Sequence, residues 1–260
     1  MPSWFEPRER ALPRETNVAA ALLVAALVAW IVTYRRMRGM DDGPGTDLGG
    51  LGWYVGVWVT TTAAMMLPSV VPTVTLYARL GEERRAGRIG TAAFVAGYLI
   101  AWTTYGLLAY VAYRGAKEAA PNFLSWSNAG RYVAAGALVV AGLYELTPLK
   151  RFCLRHCRAP LHFVLSGWRS GKSGAMRMGL DHGLYCVGCC SGLMVALFAL
   201  GVMSVTWMAT VALIVLVQKV LPHGERFALV SAVAFVGLGI WVATAPSSVP
   251  GLHVPTMRVG

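Results

Sequence analysis

The stretch that decides the fold of this chain is GLDHGLYCVGCCSGLMVALFALGVMSVTWMATVALIVLVQKV, residues 179–220. Between Asp181 and Lys219 it contains no charged residue. As a single α-helix this run would extend about 56 Å, whereas the hydrocarbon core of a bilayer is about 30 Å thick. We therefore predict two membrane helices, from Gly179 to Leu200 and from Val202 to Val220, with a turn near Gly201.

The rest of the chain repeats this apolar pattern. Of 260 residues, 56% are hydrophobic and only 13% are charged, whereas a soluble domain is about a quarter charged. Apolar segments of membrane length, roughly 20 residues, also run from Val18 to Tyr34, Gly52 to Tyr77, Ile89 to Tyr113, Arg131 to Pro148 and Phe227 to Ala245. The sequence thus predicts an all-α, polytopic transmembrane bundle of about seven helices. The bundle would cover residues 18–245 and include a basic loop at 149–178, with tails at 1–17 and 246–260.

The distribution of charge predicts the orientation of the bundle. Lys and Arg number 23 against 12 Asp and Glu, a formal net charge of +11. A nucleic-acid-binding protein would spread such charge over a polar surface, but here the basic residues lie between apolar segments. Sixteen of them fall on the side of the N-terminal tail. By the positive-inside rule this side is cytoplasmic. We expect a multi-pass protein of the bacterial cytoplasmic (inner) membrane that contacts membrane lipid and no nucleic acid, with its N-terminus inside and its C-terminus outside.

A group of sulfur-containing residues lies on the fifth predicted membrane helix. Cys186, Cys189 and Cys190 occur at i, i+3 and i+4 and therefore share one helical face. His182 lies one turn before them and Met194 one turn after. Thiolate and thioether ligands suit Cu(I), and thiolate with imidazole also suits zinc. The pattern predicts a soft-metal site, with copper ahead of zinc.

The same helix has features of a simple packing surface. Cysteine is among the most frequently buried residue types. Gly179 and Gly183, like Gly188 and Gly192, form small-xxx-small pairs that allow close helix packing. The three cysteines could therefore serve helix contact rather than metal binding, and the sequence leaves both interpretations open.

A second group lies in the basic loop, within the segment KRFCLRHCR at residues 150–158. If this segment is helical, Cys153, His156 and Cys157 share one face. Nearby cations would lower the pKa of these thiols and favour the thiolate that binds metal. The alternative is an interfacial basic helix that binds anionic lipid headgroups. The cytosol is reducing and the number of cysteines, five, is odd, so we expect free thiols or metal thiolates rather than structural disulfides.

Three further features are candidates for a role in the site. Met65 and Met66 on the second predicted helix bring sulfur to a similar depth, although paired Met often only fills gaps in a core. Glu145 is expected to pair with Lys150 or Arg151 near the membrane surface. Asp181 is expected to orient His182 or to cap the fifth helix.

Several motifs occur in order along the chain: Met65-Met66-Leu67-Pro68-Ser69, Tyr144-Glu145-Leu146-Thr147-Pro148-Leu149-Lys150 with Cys153 and Cys157, Cys186-Val187-Gly188-Cys189-Cys190 with Leu193-Met194, Gly201-Val202-Met203, and Trp207-Met208. Together they resemble a bacterial family of predicted metal-binding integral membrane proteins, a domain of unknown function. The resemblance covers about residues 52–220. It implies a metal association, without a known activity. Where relatives commonly have Trp after the paired cysteines, Asn after the later Met and additional Met before the Met-Met motif, this chain has Ser191, Ser204 and Thr61/Thr62. The second helix is therefore a weaker source of ligands here.

Three functions fit these observations. The first is a metal-handling membrane protein that binds Cu(I) or zinc and exchanges it with a metal donor or acceptor protein. The second is a non-catalytic subunit or assembly factor that docks on other membrane-complex subunits through its glycine and cysteine face. The third is a thiol-redox enzyme that uses Cys186 and Cys189, which the reducing cytoplasmic side disfavours.

Overall fold

The computed structural model describes residues 12–38, 48–83, 87–119, 130–201, 204–245 and 248, and these form nine α-helices and no β-strand. The predicted all-α fold is therefore confirmed for the described part of the chain. Residues 1–11 and all of 246–260 except Ser248, which include most of the two predicted tails, lie outside the described residues. The helices are α1 (Leu12–Met37), α2 (Leu51–Glu83), α3 (Gly87–Ala119), α4 (Arg131–Glu145), α5 (Pro148–Arg158), α6 (Pro160–Ser166), α7 (Gly171–Leu200), α8 (Val205–Val220) and α9 (Gly224–Thr244).

Each of the seven predicted apolar segments overlaps a helix in the described part of the chain. Five of these helices, α1, α2, α3, α7 and α9, are long and apolar enough to cross a membrane. α8 is apolar but shorter, with 16 residues. α4 and α5 meet at a bend of 62°. The predicted basic loop, 149–178, is largely helical, because α5, α6 and the start of α7 lie within it.

The predicted turn near Gly201 is present. α7 ends at Leu200, and Gly201 has φ of 112°, a conformation that glycine adopts without the steric cost of a Cβ. α8 begins four residues later, at Val205. The charge-free run is therefore two helices.

The glycines of α7 bring neighbouring helices into close contact. A Cβ on Gly179 would lie 1.9 Å from the carbonyl oxygen of Phe94, and one on Gly183 would lie 2.6 Å from Cβ of Ala101, both on α3. On another face, a Cβ on Gly192 would lie 2.8 Å from the Tyr144 ring of α4. The two small-xxx-small pairs thus pack α7 against helices of the same chain.

We expect Gly179→Ala to destabilise the fold by about 1–3 kcal/mol, because the added methyl group must push the α3 backbone away. The matched control is Gly136→Ala, also in the interior of a helix. Nothing lies within 4 Å of a Cβ at that position, so alanine should be neutral or slightly stabilising there. Thermal unfolding in detergent measures both. Equal unfolding temperatures for the two variants would contradict the close α3–α7 contact.

Candidate metal centre

Three cysteines of α7 form a buried sulfur group. The side chains of Cys186, Cys189 and Cys190 are 0%, 1% and 2% exposed, and their three sulfur atoms all lie within 4.8 Å of one another. The Sγ atoms of Cys189 and Cys190 are 3.5 Å apart. The spacing i, i+3, i+4 that the sequence shows therefore brings the three thiols to one point, as predicted. We call these three residues the sulfur group.

A fourth cysteine reaches this group from α5. The Sγ of Cys157 lies 3.8 Å from the Sγ of Cys189. α5 begins with Pro148 at its first positions and is capped by Thr147, whose side chain accepts a hydrogen bond from the backbone N–H of Lys150. Proline and a side-chain oxygen at these positions are favourable helix starts. The segment that contains Cys153 and Cys157 is therefore helical, and this helix carries Cys157 to the sulfur group.

Cys153 lies one turn earlier on the same buried face of α5. A Cβ on Gly188 of α7 would be 2.6 Å from the Cys153 sulfur, so the absence of a side chain at Gly188 lets α5 approach. Burial raises the pKa of the Cys153 thiol. The expectation that neighbouring cations lower this pKa is wrong, because Arg151 and Arg155 are exposed while the thiol is buried.

Lys219, in the last turn of α8, places a positive charge against the sulfur group. Its Nζ lies 2.7 Å from the Sγ of Cys186 and 3.3 Å from the Oγ of Ser69 on α2. An ammonium group has three donors and no acceptor, so it donates to the sulfur and can offset the negative charge of a metal thiolate. The sequence pattern counts Lys219 only as a loop charge. The sequence feature that indicates a role for Lys219 is its position at the end of the charge-free run, where the chain is still helical.

Tyr98 of α3 also contacts this sulfur. Its hydroxyl oxygen lies 3.0 Å from the Sγ of Cys186, and its side chain is completely buried. The sequence offers no signal for this residue, because Tyr98 is one of several aromatic residues in an apolar segment. The Sγ of Cys186 therefore has polar contacts from both α3 and α8.

His182 lies one turn before Cys186, but it is not part of the sulfur group. Its ring is 2% exposed and lies among the aromatic rings of Phe94, Tyr98 and Phe163, with centroids 5.0–6.2 Å away. Its Nδ1 is buried and has no hydrogen-bond partner in the described part of the chain. Asp181, which was expected to orient it, instead pairs with Arg169 at 3.4 Å. Asp181 is not a helix cap either, because α7 begins ten residues earlier.

His156 is directed along the outside of α5. Its Nδ1 lies 2.9 Å from the carbonyl oxygen of Phe152, and its ring stacks on Tyr185 with centroids 4.6 Å apart. Cys153 and Cys157 on the same helix are buried, whereas His156 is partly exposed. The structure therefore separates His156 from the two cysteines with which it was grouped.

The three predicted methionine ligands are all buried in the core. Met194 lies one turn beyond Cys190 on α7, and Met65 and Met66 lie on α2. α2 continues through Pro68 and Pro72. The Ser69 hydroxyl donates to the Met66 carbonyl at 2.8 Å and accepts from Lys219. This chain of contacts brings the Met66 backbone near the sulfur group.

A buried ion pair lies beside the site. Glu145 of α4 pairs with Lys150 of α5, as predicted, but both side chains are buried inside the bundle rather than at a surface. Gln218 of α8 joins them: its Oε1 accepts from Lys150 at 2.8 Å and its Nε2 donates to Glu145 at 2.7 Å. Gln218 and Lys219 are adjacent in sequence, so the end of α8 contacts both the ion pair and the sulfur group.

This arrangement has the chemistry of a site for a soft cation. Four thiols from two helices, a lysine and a tyrosine converge in the buried interior. Thiolates bind Cu(I) strongly, and four of them also suit zinc. The residues of the site belong to α3, α5, α7 and α8.

Comparison with known proteins gives a match over most of the chain. A family model described as PpoB2, copper chaperone, matches residues 55–242. This range begins in α2, ends in α9 and contains every cysteine of the chain. No curated protein and no solved structure matches the chain.

Proposed function

Since this chain belongs to the PpoB2 copper chaperone family, we propose that it binds Cu(I) as cargo on the buried cysteines of α7 and passes it to a metal-handling partner protein. Cys186, Cys189 and Cys190 are the proposed ligands, and Cys157 supplies a further sulfur. The observation that carries the proposal is the convergence of three buried sulfur atoms within 4.8 Å. Zinc also suits a set of four thiols, and the family favours copper.

Charge balance supports Cu(I) in this site. Cu(I) bound by two thiolates carries a net charge of −1, and by three thiolates −2. A buried charge is costly unless a partner of opposite sign compensates it. Lys219, whose Nζ is 2.7 Å from the Cys186 sulfur, supplies one positive charge. The site would thus hold copper as an anionic thiolate complex paired with an ammonium group.

The proposal places this site in a membrane. Five helices are long and apolar enough to span one, and the outer faces of α1 and α9 expose large apolar side chains such as Leu27, Val28, Val230 and Val233, each more than half exposed. Exposed apolar faces of this kind suit contact with lipid. We further propose the complete topology: seven passes in the bacterial cytoplasmic membrane, N-terminus inside, with the basic segment around α5 and α6 in the cytoplasm.

One argument for the alternative function, a subunit that docks on other membrane proteins, does not hold for the folded chain. The glycine and cysteine face of α7, which could have bound helices of another protein, is covered by α3, α4 and α5 of the same chain. Partner subunits, if the protein has them, would have to use other surfaces.

Cu(I) titration of the purified full-length protein tests the proposal. We expect the wild type to retain copper against a colorimetric Cu(I) chelator, and the Cys186→Ser/Cys189→Ser/Cys190→Ser variant to lose it. Cys153→Ser is the matched control, because Cys153 is also a buried cysteine but is not in the sulfur group. A wild type that binds no copper, or a triple variant that binds as the wild type does, would contradict the proposal. Parallel titration with Zn²⁺ decides between the two metals.

A further inference from the structure

A surface cleft is lined by residues of α5, α6 and α7. It has a volume of about 480 Å³. Its lining includes His156, His162, Asp181, Phe163 and Tyr185. Two imidazoles at an accessible site are groups that bind transition-metal ions, whereas the Asp181 carboxylate is paired with Arg169. The cleft therefore offers metal-binding side chains on the side of the bundle that carries the basic residues.

One histidine of the cleft is oriented by the backbone. The Phe152 carbonyl, which can only accept, lies 2.9 Å from Nδ1 of His156, so Nδ1 donates its hydrogen. Nε2 then keeps its lone pair. A backbone hydrogen bond of this kind is the common way in which proteins orient a metal-binding imidazole.

Phe163 separates the cleft from His182. The Phe163 ring lines the cleft and meets the His182 ring edge-on, with centroids 5.0 Å apart. Behind it, Nδ1 of His182 is buried without a hydrogen-bond partner in the described residues. An unpaired buried polar atom costs free energy, and a passing metal ion would satisfy it. His182 is four residues before Cys186, about 6 Å away along the helix axis.

We propose that this cleft is the entry port for Cu(I), and that His182 is a transfer ligand between the port and the sulfur group. The ion would bind first at His156 and His162, pass Phe163, bind Nδ1 of His182 and then move to Cys186. Each step is a ligand exchange in which copper remains Cu(I). Nδ1 of His182 recovers its lone pair when the Cys186 thiolate takes over, and any thiol proton is released to water or to buffer. The inference rests on the proposed copper function and adds its route.

Loading kinetics test the role of His182. Buffered Cu(I) is mixed rapidly with the apo full-length protein, and the thiolate-to-copper absorption is followed. We expect His182→Ala and His182→Gln to load at least about tenfold more slowly than the wild type, because each removes one ligand from the path. Their equilibrium affinity for Cu(I) should stay within about threefold, since the sulfur group is intact. Cys186→Ser should instead lower the affinity.

The two proposals fail in different ways in this experiment. If the wild type binds Cu(I) and the His182 variants load at its rate, the route is wrong and the copper function stands. If the His182 variants lose as much affinity as Cys186→Ser, His182 is a ligand of the resting site and the transfer role is wrong. If the wild type binds no Cu(I), the proposed function itself fails.

Thiol labelling tests the port without any metal. Phe163→Ala should raise the rate at which N-ethylmaleimide alkylates Cys186 by about tenfold, because it removes the ring that packs on His182 and so opens a path from the cleft towards the buried sulfur one turn away. The matched control is Phe152→Ala, which removes an equal ring near His156 that has no ring contact with His182. Peptide mass spectrometry reports the labelled cysteine. Equal labelling rates in the two variants would overturn the assignment of Phe163.

Discussion

Replacing Lys150 with methionine should destabilise the folded protein by about 3–5 kcal/mol, the loss expected when one partner of a buried ion pair is removed. Glu145 is 1% exposed and Lys150 is 0% exposed, so water cannot replace the lost ammonium group. Methionine preserves most of the side-chain volume, so the loss of stability results from the missing charge rather than from a cavity. Thermal unfolding of the detergent-solubilised protein, followed by circular dichroism, measures it.

A double variant separates the ion pair from the packing around it. Glu145→Gln combined with Lys150→Met removes both charges, and most of the stability should return because no unpaired charge remains. Gln218 can still hydrogen bond to the new amide and to Ser231, which lies 3.1 Å from its Nε2. The control for a general charge effect is Arg155→Met, which breaks an exposed pair with Glu225 and should change stability little. A Lys150 variant no less stable than this control would refute the role of the buried pair.

Replacing Lys219 with methionine should weaken Cu(I) binding by about 10- to 100-fold, the equivalent of the roughly 1.5–3 kcal/mol that a hydrogen bond to a charged group contributes. The physical reason is the 2.7 Å contact between its Nζ and the Cys186 sulfur. Without the ammonium group, the anionic copper thiolate loses the positive partner that the described residues place against Cys186. Competition titration against a Cu(I) chelator measures the change in affinity.

Lys172→Met is the matched control for Lys219. Lys172 lies on α7, the helix of the cysteines, but in its first turn, and it is exposed. The Lys172→Met substitution removes the same positive charge from the protein but does not remove a contact to sulfur. The affinity for Cu(I) should therefore not change. A Lys219 variant that binds copper as tightly as this control would refute the stabilising role of the ammonium group. A variant that binds more tightly than the wild type would show that the ammonium group repels Cu(I).

The sequence predicted the helices and the sulfur group because both depend on local spacing. Cys186, Cys189 and Cys190 lie within five residues of one helix, so helical periodicity alone brings their sulfur atoms together. The break at Gly201 follows from the length of an uncharged run compared with the thickness of a membrane. Spacing also groups Cys157 with Cys153 on one face, on the condition, which the structure meets, that residues 150–158 are helical.

The remaining parts of the site depend on contacts between distant segments. Lys219 is 33 residues from Cys186 and Tyr98 is 88 residues from it, and no local pattern places either beside the sulfur. His156 was grouped with Cys153 and Cys157 by spacing, but its ring packs on Tyr185, a contact that only the approach of α7 to α5 creates. The start of α7 at Gly171 was missed because Lys172 and Arg177 resemble loop charges.

The adjacent residues Gln218 and Lys219 fix the rotational register of α8. Consecutive side chains on an α-helix point about 100° apart, and here one is directed to the Glu145–Lys150 pair while the next is directed to Cys186. A rotation of α8 by one residue would remove both contacts at once. α8 therefore has one rotational orientation about its axis in which Gln218 contacts the Glu145–Lys150 pair and Lys219 contacts the thiol site. The geometry of the cargo site thus depends on the correct assembly of the bundle.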